Sequence, residues 1–512
     1  MKTKHAIISI LFIVSTCIVF GQVNSHSLQI NISVSKEVQE YFKPNGRLFV
    51  FLLQNPNLSP KNLEWAWTPG RDVFAKNISD FNPNKVFKIN SSEGWNTTTD
   101  WSFRNVPEGE YYLLVIWDQD TEEPRIGAPG NIYSETKKIE LHNSVVVDVR
   151  LEKIITAQEV ISHDLVRTID IKSDTLSNWW GKEVHLNASM LLPSKYYNDP
   201  KKEYPIRYNI GGGYARYTRI NDIINDKPFM DWWLSDDAPQ IINVFLDGFG
   251  PFGDCYQMDS DNNGPYGYSL INELIPFIEK EYRSTKSSRT RFVDGCSTGG
   301  WVSLALQLFY PDMFNGVYSF SPDPISFEKF IMINIYEDKN AFFNEYGYLR
   351  PLWKDMEGDP IISWKEFVQY ENILGSSNSY VTSGADIGHY TALFGPKGAN
   401  GLPVPLFDPY TGVIDSVIAK NWEKYDLKLF AEKNWSILGP KLQGKIFIWT
   451  GDMDQISLNL AVREFDKFLK STKNPTSDAE IIFSPMEGHC AQFSHRYVIE
   501  KIAGRIKKLE SN

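Results

Sequence analysis

A serine between glycines offers the clearest chemistry in this chain. The stretch VDGCSTGGW holds Ser297 in a G-x-S-x-G pattern that runs from Gly295 to Gly299. The pattern follows a predicted strand (290–295) and opens a predicted helix (299–310). In that context it forms a sharp strand-to-helix turn that lifts the hydroxyl above the sheet. We therefore interpret Ser297 as a nucleophile rather than as part of a connecting turn.

A serine hydroxyl needs a neighbouring base to take its proton. On this kind of fold the order is Ser, acid, His, so the base must follow Ser297. Three histidines do. His389 precedes the strand expected to deliver the acid, and His495 belongs to the predicted last helix. His489 follows the predicted strand AEIIFSP, directly after Gly488, which lets the chain turn. We predict that His489 is the base.

The acid of such a triad fixes the tautomer of the histidine and stabilises its protonated form. We expect it at the end of the strand before His489, where KIFIWTGDMDQ offers Asp452 and Asp454. The third position after the glycine favours Asp454, which leaves Asp452 as a turn-capping residue.

The oxyanion of the tetrahedral intermediate needs backbone N–H donors. One is expected from Thr298, the residue after the nucleophile. The other is expected from the glycines that follow the predicted strand YPIRYNI, with Gly213 as the favoured donor and Gly212 as the alternative. A plain glycine-rich turn is the competing interpretation of this segment.

Strands alternate with helices from residue 166 to residue 512, which predicts a mostly parallel sheet flanked by helices. The helix ELIPFIEKEYR and strands such as QIINVFLDG and KIFIWTG carry this pattern. An aromatic-rich insertion at 323–444 lacks strong strand signals. We expect it to be either a cap over the catalytic face or additional packed helices.

The N-terminal part has a different pattern. Residues 1–21 combine two lysines with an apolar run and a small residue, which indicates a secretory signal peptide. Residues 22–151 read as short strands without helices, which predicts an all-β, immunoglobulin-like sandwich domain. Its expected role is a spacer or docking module, with carbohydrate binding as the alternative. Polar residues 152–165 are the expected linker to the catalytic domain.

Bulk composition excludes some classes of function. The chain of 512 residues carries a formal net charge of −11 and has no basic run, so we expect no nucleic-acid partner. Beyond the signal segment no stretch is long and apolar enough to span a membrane. Together with the predicted signal peptide, this makes the periplasm or the exterior of the cell the expected location.

Three cysteines remain once the signal segment is removed. Cys296 precedes the predicted nucleophile and Cys490 follows the predicted base, so a bridge between them is geometrically possible if Ser297 meets His489. Free thiols, or pairing of either cysteine with Cys255, are the alternatives. The spacing does not resemble a metal site, so no metal ligand is predicted.

The region from about residue 166 to the end resembles esterases of the α/β-hydrolase fold, the group that includes esterase D-like and enterochelin-esterase-like enzymes. The motifs shared with that group are DSDNNGPYGYSLINELIPFIEKEYR, GCSTGGW with FYPDMFNGVYSFSPDP, GDMDQISLNLA and EGH. Cys296 and Cys490 also resemble the Cys-Ser, Asp, His-Cys arrangement of tannases and feruloyl esterases. That second resemblance implies a disulfide between them.

The sequence therefore predicts an exported serine esterase that needs no cofactor. The family resemblance and the predicted export imply that its substrates are small-molecule esters or acyl groups on polysaccharide, feruloyl or acetyl, as in a carbohydrate esterase. An acyltransferase, a serine peptidase on the same fold and an inactive surface-binding protein are the alternatives. Oligomeric state is not predicted.

Overall fold

The computed structural model of this protein describes residues 25–65, 70–119 and 123–511. The predicted signal segment, residues 1–21, lies outside them. Among the described residues, no helix is both long and apolar enough to cross a membrane.

Between residues 25 and 154, the part of the chain that the structure describes consists of strands and loops, with two short 3₁₀ turns at Lys36–Tyr41 and Asn62–Glu64. The strands are β1 Ser25–His26, β2 Leu28–Val34, β3 Gly46–Leu53, β4 Arg71–Ile78, β5 Phe87–Ile89, β6 Asn96–Thr97, β7 Val106–Pro107, β8 Gly109–Asp118, β9 Ile132–Ser134, β10 Lys137–Leu141 and β11 Val145–Ile154. Nine of these strands join in one hydrogen-bonded sheet, in which β3 lies between β4 and β8. The immunoglobulin-like assignment stays a prediction.

The two faces of this sheet pack differently. Strands β2 and β11 alternate buried and exposed residues, as half-buried strands do. Strand β3 is buried on both faces. Leu48, Val50 and Leu52 belong to a core within the β-region, whereas Phe49 and Phe51 belong to the core of the following region. The N-terminal domain is thus packed firmly against the rest of the chain.

An eight-stranded sheet organises the second region. Its strands are β12 Val166–Lys172, β13 His185–Leu191, β14 Ile206–Ile210, β15 Ile242–Leu246, β20 Arg291–Cys296, β21 Val317–Phe320, β24 Ile446–Gly451 and β25 Glu480–Ser484, in the order β12-β13-β15-β14-β20-β21-β24-β25. In this order the six strands from β15 to β25 are parallel, whereas β13 runs antiparallel to both of its neighbours, β12 and β15. Apolar runs such as INVFL fit strands covered on both faces. The predicted α/β architecture is confirmed.

Helices cover this sheet and fill the connections. They are α1 Asp174–Trp180, α2 Ile220–Asn225, α3 Lys227–Trp233, α4 Tyr266–Ser269, α5 Ile275–Glu281, α6 Thr298–Phe309, α7 Trp364–Leu374, α8 Asp386–Phe394, α9 Ser416–Trp422, α10 Leu427–Leu442, α11 Asn459–Ser471 and α12 His495–Glu510. Three small hairpins complete the connections: β16 Phe249–Gly250 with β17 Gly253–Asp254, β18 Asp259–Ser260 with β19 Gly264–Pro265, and β22 Pro351–Lys354 with β23 Pro360–Ser363. The insertion at 323–444 thus contains α7 to α10 and one hairpin, joined by loops and short 3₁₀ turns.

Candidate active site

The turn between β20 and α6 is sharp and carries Ser297. The backbone of Ser297 has φ 59° and ψ −123°, a conformation that residues other than glycine rarely adopt. A Cβ atom on Gly295 would lie 2.4 Å from the carbonyl carbon of Gly299, and one on Gly299 would lie 2.2 Å from the carbonyl oxygen of Ile210. Both glycines are therefore required for the close approach of strand and helix. This strained turn places the serine at the carboxyl end of the sheet, directly after β20.

His489 is held by two groups from the loop after β24. Its Nδ1 lies 2.8 Å from Oδ2 of Asp454, and its backbone N–H donates to the side-chain oxygen of Gln455 at 2.8 Å. The Asp454 side chain is fully buried, and its second oxygen accepts the backbone N–H of Ile456 at 2.9 Å. The carboxylate is thus fixed from both sides.

Burial lowers the pKa of His489, but the charge and hydrogen bond of Asp454 more than offset this, with a further contribution from Asp323. The net result is a pKa above the ordinary value of a histidine. His489 therefore holds a proton more strongly than a free imidazole, which suits a base that must accept one and later return it.

The alternative candidates from the sequence occupy other places. Asp452 pairs with Arg463 and makes no hydrogen bond to His489 among the described residues. His389 is fully buried in α8, and burial lowers its pKa to about 3. His495 begins α12, as predicted, and burial together with Arg207 keeps its pKa well below the ordinary range.

Ser297 and His489 line one cavity of about 250 Å³. The Ser297 hydroxyl donates to Oδ1 of Asp323 at 3.4 Å, and among the described residues it makes no hydrogen bond to His489. Hydrogen bonds between catalytic groups are often long without substrate and tighten when it binds. The structure thus brings the predicted nucleophile and base to the same cavity, which Asp323, an unpredicted neighbour, also lines.

Asp323 follows the end of β21, the strand next to β20. Its Oδ2 accepts from Tyr256 at 2.7 Å and from the Thr298 hydroxyl at 3.0 Å, and burial raises its pKa. The position was readable from the sequence, because a residue just after a parallel strand lies at the same edge as Ser297. The same inference is harder for Asp386, another carboxyl that lines the cavity, since it belongs to the insertion.

The glycine loop after β14 lies over the nucleophile. A Cβ on Gly212 would be 3.9 Å from Cβ of Ser297, and one on Gly213 would be 3.6 Å from Oγ1 of Thr298. Thr298 is the first residue of α6, so its backbone N–H has no acceptor within the helix. Both predicted donor segments therefore border the cavity.

Cys296 and Cys490 form a disulfide, with their Cα atoms 6.1 Å apart. Cys255 is a buried free cysteine, and burial raises the pKa of its thiol well above the ordinary value. The two bridged sulfurs lie beside the His489 ring, within 4.8 Å of its ligand atom. Oxidised sulfurs offer no thiolate, so this group does not read as a metal site.

The sequence of this chain matches a known protein family. A family model described as "Putative esterase" matches residues 181–495, more than half of the chain. No curated protein matches this chain.

Solved structures give weaker likenesses. A ferulic acid esterase is 16% identical over 67% of this chain and 97% of its own, with a TM-score of 0.42. The fluorophosphonate-binding serine hydrolase F of Staphylococcus aureus is 13% identical over 67% and 98%, with a TM-score of 0.40. An S-formylglutathione hydrolase from Agrobacterium tumefaciens is 14% identical over 67% and 93%, with a TM-score of 0.35. These TM-scores are too low to bear on activity.

Proposed function

Because the chain belongs to the putative esterase family, whose fold is the α/β-hydrolase fold, we propose that it hydrolyses carboxylic esters with Ser297, His489 and Asp454 as its triad. The observation that carries this assignment is the 2.8 Å contact between His489 and Asp454 at the cavity that Ser297 lines. Asp452, paired with Arg463, is not part of the triad in this proposal.

Ser297 attacks the acyl carbon while His489 takes its proton. Asp454 holds the imidazole with Nδ1 protonated, so that Nε2 faces the cavity as the accepting atom. His489 then returns the proton to the leaving alcohol, and the acyl-enzyme forms. A water molecule, deprotonated by the same ring, then attacks the acyl carbon; the bond between the acyl group and Ser297 breaks, the acid leaves, and His489 returns the proton to the Ser297 hydroxyl. Every proton moves through one side chain.

The N–H groups of Thr298 and Gly213 stabilise the oxyanion, with Gly212 as the alternative donor. One such donor is typically worth about 2.7–4 kcal/mol of transition-state stabilisation. The strained Ser297 turn costs on the order of 1–3 kcal/mol, which is comparable to the contribution of one donor and smaller than that of two. Two oxyanion donors together therefore offset the strain of the turn that presents the nucleophile.

Export of the enzyme and acyl-polysaccharide as substrate belong to the proposal. The signal-like segment 1–21 and the bridge between Cys296 and Cys490 support an oxidising location, the periplasm or the exterior. The aromatic residues around the cavity, such as Trp353 and Phe367, suit an apolar acyl group.

Hydrolysis of p-nitrophenyl acetate tests the proposal. We expect Ser297→Ala to lose at least about 10³-fold in kcat, because the acyl-enzyme cannot form. Ser303→Ala is the matched control, since it removes a buried serine hydroxyl from α6 away from the cavity. Equal rates for the unsubstituted protein and Ser297→Ala would refute the assignment.

A further inference from the structure

One residue of the N-terminal β-domain reaches the cavity of the proposed active site. Trp65, which follows the 3₁₀ turn Asn62–Glu64, is partly buried and lines the same cavity as Ser297 and His489. A spacer or docking module would not be expected to place a side chain there. The role of this domain therefore needs a different explanation.

The indole of Trp65 packs against the loop that carries the proposed oxyanion donors. Its ring lies 4.5 Å from the ring of Tyr214, centroid to centroid, at an interplanar angle of 83°. Edge-to-face pairs of this kind are favourable. Tyr214 directly follows Gly213 and has φ 62°, a conformation that needs support from its surroundings. Trp65 supplies part of that support.

The backbone around Trp65 is tied to helix α7 of the insertion. The Arg71 guanidinium donates to the carbonyl of Trp65 and lies 3.5 Å from the centre of the Tyr370 ring. The Tyr370 hydroxyl donates to the carbonyl of Leu63 at 2.5 Å. Phe367, one turn earlier on α7, lines the cavity. One set of contacts thus fixes the position of Trp65 relative to Phe367, the two aromatic residues that line the cavity from these segments.

A second contact holds the far end of α7. Arg47, almost fully buried in β3, donates through Nε and Nη2 to the carbonyl of Ile373 at 3.1 Å and 2.9 Å. Glu371 on the same helix accepts the backbone N–H groups of Ile387 and Gly388 at the start of α8. The β-domain, α7 and α8 therefore form one connected support for the cavity.

We propose that the N-terminal β-domain is part of the substrate pocket, with Trp65 as a specificity-determining residue that limits the size of the organic group held beside Ser297. The assignment rests on the proposed esterase function. It gives the β-domain a role in substrate selection, in place of a spacer or a separate carbohydrate-binding module.

Selectivity among p-nitrophenyl esters tests this assignment. The measured quantity is the ratio of kcat/KM for the hexanoate to kcat/KM for the acetate. We expect Trp65→Ala to raise this ratio at least about tenfold, because one methylene in a fitted pocket already changes kcat/KM by about 10- to 200-fold. Trp65→Phe, which keeps an aromatic wall, should give a smaller shift in the same direction.

Trp101→Ala is the matched control. Trp101 lies in the same domain and is also partly buried, but it packs on Phe74, against the core within the β-region. Its ratio should stay within about twofold of the unsubstituted protein. Thermal unfolding of each variant reports whether the fold is intact.

The outcomes separate the two proposals. An unchanged ratio in folded Trp65→Ala overturns the role of Trp65 while the esterase assignment stands. If Trp65→Ala does not fold, Trp65→Phe decides, and an unchanged ratio in it overturns the proposal. If the unsubstituted protein hydrolyses the esters no faster than Ser297→Ala does, the esterase function is refuted, and the role of Trp65 in substrate selection is refuted with it.

Discussion

Removal of the bridge between Cys296 and Cys490 should weaken the fold far more than it weakens catalysis. The two cysteines are 194 residues apart in sequence. The chain-entropy model gives about 5 kcal/mol for a loop of that length, as an upper value. We therefore expect the double variant Cys296→Ala/Cys490→Ala to lose about 3–5 kcal/mol in free energy of unfolding.

Catalysis at 25 °C should fall less, because other contacts hold the base. His489 keeps its bonds to Asp454 and Gln455, and the Cys490 backbone N–H keeps its bond to the Ser321 hydroxyl at 3.1 Å. We expect kcat/KM to fall by less than about tenfold, because a change in positioning that raises the barrier by about 1 kcal/mol slows the reaction by less than tenfold. The activity lost on mild heating should be much larger.

Urea unfolding and p-nitrophenyl acetate hydrolysis measure the two effects side by side. Cys255→Ala is the control, because it removes a buried cysteine that forms no bridge. Alkylation of the denatured protein without reductant should label Cys255 and leave Cys296 and Cys490 unlabelled. If that pattern holds and the double variant unfolds within about 1 kcal/mol of the control, the loop-closure reasoning is wrong.

Two further predictions concern the titrating groups. Asp454→Asn should lower kcat by about 10³- to 10⁴-fold. It should also move the acid limb of the kcat/KM profile to lower pH, since it removes the carboxylate that raises the pKa of His489. Asp452→Asn should leave kcat within about twofold and the acid limb in place. Equal effects of the two substitutions would contradict the assignment of Asp454 as the acid of the triad. Burial lowers the pKa of His389 to about 3, so its contribution to stability is present above about pH 6.5 and is lost as pH falls. His389→Phe should therefore recover about 3 kcal/mol of unfolding free energy at pH 4.5, and an unchanged acid sensitivity in urea unfolding would refute this.

Local sequence was enough for much of the catalytic region. Predicted strands and helices at 204–210, 290–295, 299–310 and 445–451 overlap the observed β14, β20, α6 and β24 closely, because these buried segments have strong periodicity and are bounded by glycine or proline. The site predictions relied on one rule: the turns that follow parallel strands lie at the same edge of the sheet, so their side chains can meet there. The triad itself stays a proposal.

Asp323 shows where that reasoning stopped short. Its place after β21 was visible, but its contact with the Ser297 hydroxyl depends on how Tyr256 and Thr298 fix the carboxyl. Asp386 and Trp65 were out of reach, because an insertion and a separate domain supply them. No spacing rule connects residue 65 with residue 297.

The sequence by itself determined the alternation of strands and helices, the strained glycine turn at Ser297 and the order of the residues able to relay a proton. These are properties of neighbours along the chain, where propensity and periodicity act. Only the tertiary structure decided which face of the β-domain is buried against the catalytic region, how α7 is anchored and which aromatic side chains surround the cavity. Those outcomes depend on packing between segments hundreds of residues apart, and such packing is set by the shape and burial of whole surfaces rather than by any local pattern.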